Sequence, residues 1–150
     1  MDYVTFTIDN DQFALPVSQV REILQRDTIT HLPDMDDCML GIINLRGSVV
    51  PVMDLGKRLG LTTRDQTGHG DRNITQEQTI IILEASEGAM VGLITDVVRE
   101  VVQIPQEDIQ PPPKTGLAVR ESELLRGIVS TNDSFTILLA PEPLLGGALV

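Results

Sequence analysis

Short apolar runs separated by turn residues recur along the whole chain, and this pattern predicts an all-β protein. Residues 4–8 and 13–17 flank the turn cluster Asp9-Asn10-Asp11 and predict a β-hairpin. Residues 18–24 fit either a strand or one face of a short helix. Later runs rich in β-branched residues predict further strands at 79–83, 90–95, 97–104, 123–129 and 135–139.

A second hairpin is predicted in residues 41–55, where two apolar runs flank Arg46 and Gly47. Gly47 can adopt the positive φ of a tight turn, so the Arg46 side chain is expected at the rim of a β-pair. Pro51 cannot donate a hydrogen bond to a neighbouring strand, which predicts a sheet edge or a bulge for the second run.

The segments between these runs predict irregular structure and short helices. Asp54 is expected to cap a short helix at residues 55–59. Residues 62–78 are polar and lack periodicity, which indicates a linker or long loop. Residues 106–114 contain three consecutive prolines and are expected to be extended. The tail, residues 141–150, can form at most a short helix.

An internal repeat supports a duplicated architecture. Val20-Arg21-Glu22 recurs as Val98-Arg99-Glu100, 78 residues later. Gly41-Ile42-Ile43 matches Gly127-Ile128-Val129, 86 residues later. The two offsets differ by eight residues, which predicts an insertion in the proline-rich loop of the second copy. Because the second Val-Arg-Glu triplet lies in a β-branched run, the first is predicted to be a strand as well.

Two similar halves predict two packed five-stranded β-barrels inside one domain of residues 1–150, with approximate limits 1–65 and 75–140. A barrel of about 70 residues is marginally stable alone, so the two are expected to pack across an apolar seam. The chain is 41% hydrophobic but only 3% aromatic, so Val, Ile and Leu must fill this core.

Charge and targeting signals narrow the function classes. The formal net charge is −11 and the 11 basic residues are scattered, which argues against a nucleic-acid partner. The single Cys38 predicts a reducing compartment. The N-terminus lacks a signal-peptide pattern, and no apolar run approaches the ~18 residues of a membrane span. A cytoplasmic protein without membrane insertion is predicted.

One acidic loop contains residue types that bind metals: His31, Asp34, Asp36, Asp37 and Cys38. Its spacing matches neither a zinc site nor an EF-hand, so a solvated loop is the favoured interpretation. No catalytic residue, metal or cofactor is predicted. A metal-dependent hydrolase that uses His31 and this loop is the remote alternative.

Residues 41–55, with the sequence Gly-Ile-Ile-Asn-Leu-Arg-Gly-Ser-Val-Val-Pro-Val-Met-Asp-Leu, resemble the hallmark segment of the CheW-like domain family. The likeness covers nearly the whole chain and includes residues 20–23, 32–33, 91–98, 107–112 and 125–128. The resemblance implies two SH3-like five-stranded barrels. It also implies a non-enzymatic adaptor that couples chemoreceptor cytoplasmic tips to the regulatory domain of the histidine kinase CheA. The alternative is a CheW-like scaffold of another bacterial pathway, such as pili, gliding or development.

The resemblance further implies a receptor-binding groove between the barrels, formed by Val20, Glu22, Arg46, Ile80, Ile81, Val98 and Val101. An apolar trough can accept the hydrophobic face of a helix, with Arg46 and Glu22 fixing its register. Val98, Val101, Ile80 and Ile81 have an alternative interpretation as core residues, because β-branched residues in a strand are more often core than contact. Gly47 and Ser48 are weaker candidates for contact with the kinase. The matching turn of the second half, residues 131–133, lacks an arginine, which favours a functional role for Arg46.

Overall fold

The computed structural model describes residues 1–25, 28–34, 36–61, 78–85, 88–113, 122–131 and 134–146. These described residues form ten strands: β1 (Asp2–Ile8), β2 (Asp11–Pro16), β3 (Val20–Gln25), β4 (Met39–Leu45), β5 (Ser48–Asp54), β6 (Thr79–Glu84), β7 (Met90–Thr95), β8 (Val97–Gln103), β9 (Leu125–Thr131) and β10 (Ser134–Leu139). Two short helices are α1 (Leu55–Arg58) and α2 (Pro141–Gly146). Short 3₁₀ turns occupy Val17–Gln19, Gln106–Asp108 and Ser122–Leu124. The predicted all-β class is confirmed.

The strands form two five-stranded sheets, here called sheet A and sheet B. Sheet A has the order β8-β1-β2-β10-β9, and sheet B has the order β3-β6-β7-β5-β4. Each sheet contains one parallel pair, β2 with β10 in sheet A and β5 with β7 in sheet B. Isolated bridges, Gln110 to Ile128 and Thr30 to Ile42, cover part of the β9 and β4 edges. The two five-stranded units are confirmed, although strand pairing among the described residues closes neither sheet into a barrel.

The repeat is visible in the topology, but the two halves exchange strands. Strands β1 to β5 correspond in order to β6 to β10, and this substitution converts the strand order of sheet A into that of sheet B. Each sheet therefore combines the first hairpin of one half with three strands of the other. The predicted limits 1–65 and 75–140 therefore do not coincide with the two sheets. Strands β1 and β2 lie within the first predicted unit, but β1 pairs with β8 and β2 pairs with β10 of the second.

The repeated sequence motifs have structural causes. In both Val-Arg-Glu triplets the strand carries one extra residue: the register shifts between Val20 and Glu22 in β3, and between Val98 and Val101 in β8. Such β-bulges redirect side chains at sheet edges. The connection between β8 and β9 spans 104–124 and that between β3 and β4 spans 26–38, so the second copy carries eight extra residues there, as predicted.

The repeated glycines allow close contact between backbone segments. A Cβ atom on Gly41 would overlap the Thr30 carbonyl oxygen, and one on Gly127 would lie 2.7 Å from the Gln110 carbonyl oxygen. These are the segments that form the isolated bridges, in which Thr30 exchanges two 2.8 Å hydrogen bonds with Ile42. Any side chain at either glycine would push these segments apart.

The core has three parts. One cluster lies within sheet A and consists of Tyr3, Ala14, Ile104, Val129 and Leu138. A second lies within sheet B and consists of Ile43, Leu45, Val50, Val52, Ile80, Ile82 and Ile94. The largest cluster contains residues of both sheets, including Phe6, Phe13, Ile81, Leu83 and Leu93. This third cluster, called the seam below, confirms the predicted apolar contact between the two units.

Both helices pack at the seam. Leu55 of α1 and Leu144 of α2 are fully buried there. Asp54 caps α1, as predicted, by accepting a 3.3 Å hydrogen bond from the Lys57 amide. Arg58 connects the helices because its Nη2 donates to the Pro143 carbonyl oxygen at 3.1 Å. The C-terminal helix is short, as predicted, and its Leu144 and Leu145 are both part of the seam.

Several sequence-based expectations need correction. β5 is not an edge strand, because it lies between β7 and β4. Pro51 is tolerated there because the ladder with β7 includes only Val52 to Asp54. Gln106–Asp108 form a 3₁₀ turn within the loop predicted to be extended. The predicted linker lies outside the described residues except for Gln78, as does the predicted turn at residues 132–133.

Candidate functional site

The turn between β4 and β5 displays Arg46. Arg46 has a φ of 50° and Gly47 a φ of 91°, the pair of positive values typical of a type I′ hairpin. The Asn44 side-chain oxygen accepts a 2.8 Å hydrogen bond from the Gly47 amide and stabilises the turn. The positive φ of Gly47 was predicted, but that of Arg46 was missed. Asn and Gly suit this conformation better than Arg, so turn geometry alone does not explain the arginine.

Arg46 forms a bidentate ion pair with Glu22 of β3. Its Nη1 donates to Glu22 Oε2 at 2.9 Å and its Nη2 donates to Glu22 Oε1 at 2.6 Å. The Arg46 side chain is 68% exposed and that of Glu22 is 21% exposed. Two parallel hydrogen bonds fix the plane of the guanidinium, which leaves its outer edge facing solvent in a defined orientation.

The ion pair keeps both groups charged. The hydrogen bonds from Arg46 lower the pKa of Glu22, partly opposed by desolvation, and the positive charges of Arg46 and Arg21 lower it further. The hydrogen bonds to Glu22 in turn raise the pKa of Arg46. A carboxylate and a guanidinium therefore stand side by side at neutral pH.

A second ion pair adjoins the first. Arg21 Nη1 donates to Glu84 Oε1 at 2.9 Å and links β3 to β6. Between the two pairs lies a cleft of about 410 Å³, lined by Ser18, Gln19, Val20, Arg21, Glu22, Arg46 and Glu84. We call this the Arg46 cleft. Polar side chains dominate its wall, and Val20 also packs against the seam.

The predicted groove residues are only partly accessible. Val20, Glu22 and Arg46 meet at the Arg46 cleft. In contrast, Ile80 and Ile81 are fully buried, Ile80 within sheet B and Ile81 in the seam. A partner cannot contact these two side chains in this conformation, so the core interpretation accounts for them. Both faces of β6 are covered, and β-branched residues on such a strand pack in the interior.

The remaining groove candidates lie on β8, the edge strand of sheet A. Val98 is half-buried against the seam and stands at the position equivalent to Val20. Val101 is 59% exposed and pairs with Val4 of β1. The two equivalent edge strands, β3 and β8, thus each place one valine against the seam from opposite sheets.

Two exposed apolar residues were missed from the sequence. Gly47 and Ser48 are exposed as expected, and the next residue, Val49, is 66% exposed. Phe135, 86 residues later, is 67% exposed and lines a cleft of about 790 Å³ with Pro111 and other residues. Val49 could have been found from its alternation with Val50 and Val52, which places its side chain on the opposite face of β5.

The acidic loop does not form a ligand cluster. His31, Asp34, Asp36 and Asp37 are exposed, and within the described part of the chain no group of three or more His, Cys, Asp or Glu side chains could hold a metal ion. Desolvation raises the pKa of the half-buried Cys38 thiol, which favours the protonated form. The hydrolase alternative gains no support from this loop.

Among the described residues, no helix is long and apolar enough to cross a membrane.

Comparison with known proteins decides the family. The sequence profile of the CheW-like domain matches residues 2–148. The chain belongs to the CheW-like domain family. The "Probable chemotaxis protein CheW" of Rhizobium etli is 32% identical over 143 residues, covering 95% of this chain and 86% of the relative. "Protein FrzA" of Myxococcus xanthus is 28% identical over 131 residues, covering 87% of this chain and 75% of FrzA.

A solved structure shares the CheW-like fold. The crystal structure of the scaffolding protein TtCheW from Thermoanaerobacter tengcongensis superposes with a TM-score of 0.81 and 33% sequence identity. The alignment covers 96% of this chain and 86% of TtCheW. Two packed five-stranded units are therefore shared between this CheW-like domain and its structural relative.

Proposed function

We propose that this protein is a cytoplasmic chemotaxis adaptor that couples chemoreceptor cytoplasmic tips to the regulatory domain of the histidine kinase CheA. It acts by binding both partners and not by catalysis. The observation that carries the proposal is the bidentate pair of Arg46 and Glu22, held on a strained turn beside the seam in a CheW-like domain. The names of its relatives, which include chemotaxis and scaffolding proteins, support the same conclusion.

The receptor contact would use the Arg46 cleft together with the edge of β8. Val20, Val98 and Val101 offer accessible apolar surface to a helix, and Arg46 offers a fixed cationic group at the rim. Binding by such a helix buries its apolar face, while the polar rim sets orientation. Ile80 and Ile81 support this surface from behind and make no direct contact.

The kinase contact would use the exposed tip of the β4–β5 hairpin. Gly47 and Ser48 are joined there by Val49, which gives the tip an apolar side chain. Phe135 gives sheet A a comparable exposed side chain at the equivalent position. A partner built from two similar units could contact either tip in a similar way.

Coupling requires more than simultaneous binding. A scaffold changes kinase output only if at least one interface prefers one signalling state, because equal affinity for both states shifts no equilibrium. Weak individual contacts are sufficient where many copies assemble, since linkage raises the effective concentration.

Reconstitution with receptor fragments and CheA tests the proposal. The full chain should co-sediment with receptor tips held on vesicles, and CheA should join the complex only when this protein is present. An R46N variant should fold normally but should not recruit CheA to the vesicles. Failure of the wild-type protein to co-sediment with either partner would contradict the proposed function.

A second candidate function is a scaffold for another bacterial pathway. The similarity to FrzA favours it, because that relative does not carry the name of a chemotaxis coupling protein. Under this alternative, charge reversal at Arg46 would leave chemoreceptor recruitment unchanged. Binding to CheA could still occur through the hairpin tip.

A further inference from the structure

The Arg46 cleft contains a second arginine whose position is set by a β-bulge. Strand β3 has one residue more than β6 between the pairs Val20–Leu83 and Glu22–Ile82, and Arg21 is that extra residue. Successive residues of a regular strand point to opposite faces, but a bulge can turn two of them in one direction. Arg21 and Glu22 accordingly both line the same cleft.

In both ion pairs the arginine is the more exposed member. Arg21 is 54% exposed against 37% for Glu84, and Arg46 is 68% exposed against 21% for Glu22. Glu22 thus lies largely behind the Arg46 guanidinium, whereas Glu84 is partly exposed beside Arg21, and both cations are accessible to an incoming partner. Each carboxylate holds its arginine in place, so the cation is oriented before binding.

The arginines retain N–H donors that the two ion pairs do not use. A guanidinium has five N–H donors. Among the described residues, Arg46 uses two of its nitrogens for Glu22, and Arg21 uses one for Glu84. Both oxygens of Glu22 are already engaged by Arg46. The exposed guanidiniums therefore offer free N–H donors to a partner, and the groups that they can receive are acceptors.

Two exposed arginines lie close together in this cleft, each paired with a glutamate. The chain has a net charge of −11 and only 11 basic residues, yet two arginines share a cleft of about 410 Å³. The charge of Arg21 also helps to lower the pKa of Glu22, the partner of Arg46, so the two cations act on one small region.

We propose that Arg21 is a second specificity-determining residue, and that the Arg46 cleft receives acidic side chains of the helical partner. Arg46 and Arg21 would each contact a carboxylate, while Glu22 and Glu84 keep the guanidiniums oriented. This inference rests on the proposed receptor contact and adds the chemistry that the cleft recognises. A purely structural role is a poor explanation, because exposed ion pairs contribute little to stability and β3 is already paired with β6 from Val20 to Gln25.

The test measures binding of a purified chemoreceptor tip fragment to the full chain at several salt concentrations. R21Q should weaken binding about five- to tenfold and reduce the dependence of affinity on salt, because one charged contact is lost. R21E should weaken it further. R126Q is the matched control, since Arg126 is an exposed arginine on β9, the edge of sheet A opposite β8, and it should bind the fragment like wild type.

A second comparison separates recognition from structural support. E84Q breaks the same ion pair but keeps the Arg21 cation, so it should retain the salt dependence that R21Q loses. The inference is overturned if R21Q binds with wild-type affinity and salt dependence, or if R21Q and E84Q are equally impaired. If the wild-type chain does not bind the receptor fragment, the proposed function itself fails. Unchanged binding of all variants to the CheA regulatory domain would place the effect at the receptor contact.

Discussion

The two halves of the duplication build the same edge of a sheet twice, and among the described residues only the β3 edge carries a charged site. Strands β3 and β8 both bulge at a Val-Arg-Glu triplet, and Gly41 and Gly127 both allow a bridging segment to approach. At β3 the triplet joins two ion pairs around a cleft. At β8 the bulge is bridged by Thr5, whose Oγ1 donates to the Glu100 carbonyl oxygen at 2.8 Å and accepts from the Glu100 amide at 3.2 Å.

This difference separates what the fold requires from what the site requires. Both halves contain the bulge, the glycine and the hairpin. These features recur because each sheet needs them. Arg46, and the ion pairs that Glu22 and Arg21 form, occur only in the first half within the described part of the chain, and a sheet can be built without them. The position equivalent to Arg46 in the second half is Asn132, a residue type that suits a tight turn. Substitutions at paired positions can therefore test fold and function separately.

The largest expected effect is the loss of stability in G41A and G127A. A methyl group on Gly41 would overlap the Thr30 carbonyl oxygen, and Gly41 also has a φ of +150°. We expect G41A to lower the free energy of unfolding by about 3 kcal/mol, and G127A to lower it by about 2 kcal/mol because only the steric conflict applies there. Urea unfolding at 25 °C measures both.

G47A provides the control for these glycine variants. No heavy atom lies within 4 Å of a Cβ on Gly47, so only its φ of +91° opposes alanine, and a loss of about 1 kcal/mol is expected. If G127A were as stable as wild type, Gly127 would not have the structural role of Gly41, and the two sheet edges would not be equivalent.

The second effect is the loss of receptor binding in R46N. Asparagine adopts positive φ more readily than arginine, so the variant should be at least as stable as wild type while lacking the guanidinium. Affinity for the receptor tip should fall roughly tenfold or more, as expected for an oriented arginine in an interface. Isothermal titration calorimetry measures it, with unfolding curves confirming the fold. Wild-type affinity in R46N would remove Arg46 from the proposed contact.

The third effect concerns the exposed apolar residues at the two hairpins. Val49 and Phe135 are equivalent and are 66% and 67% exposed, so V49S and F135S should leave stability nearly unchanged. If each tip contacts the kinase, either variant should weaken binding of the CheA regulatory domain about three- to tenfold and leave receptor binding intact. An effect of only one variant would contradict contact by both tips and would show that the two tips differ in function.

Much of the fold could be predicted from the sequence because strands and turns are local patterns. The strands, the β4–β5 hairpin, the capped α1 and the position of the insertion all follow from alternation, turn residues and the repeat. The exchange of hairpins between sheets could not be predicted, since a sequence repeat does not reveal which half pairs with which. Pro51 was misplaced for a related reason, because whether a strand lies inside a sheet depends on distant partners.

The site was predicted less completely. Arg46 and Glu22 were singled out through the family resemblance, but their direct pairing and the adjoining pair of Arg21 and Glu84 depend on contacts between distant residues. Ile80 and Ile81 had two interpretations, groove contact or core, because a β-branched strand can be covered on one face or on both, and both side chains are buried. Only the packing of the seam decides between these cases.

The smallest expected effect is that of pH on the Arg46 cleft. The folded pKa of Glu22 is lowered from the ordinary value of 4.5, mainly by hydrogen bonds from Arg46, so the stabilisation from this pair is fully present above pH 4.5 and is lost as the pH falls through the lowered pKa. Receptor affinity should therefore stay constant between pH 7.5 and 5.5, where Glu22 remains ionised. Calorimetry at these two pH values, with E22Q as the control that lacks this titration, tests the expectation. The expectation is contradicted if the wild-type affinity falls markedly by pH 5.5 while that of E22Q does not change. In that case Glu22 would gain a proton within this pH range, and the ion pair with Arg46 would not keep the Glu22 carboxylate ionised.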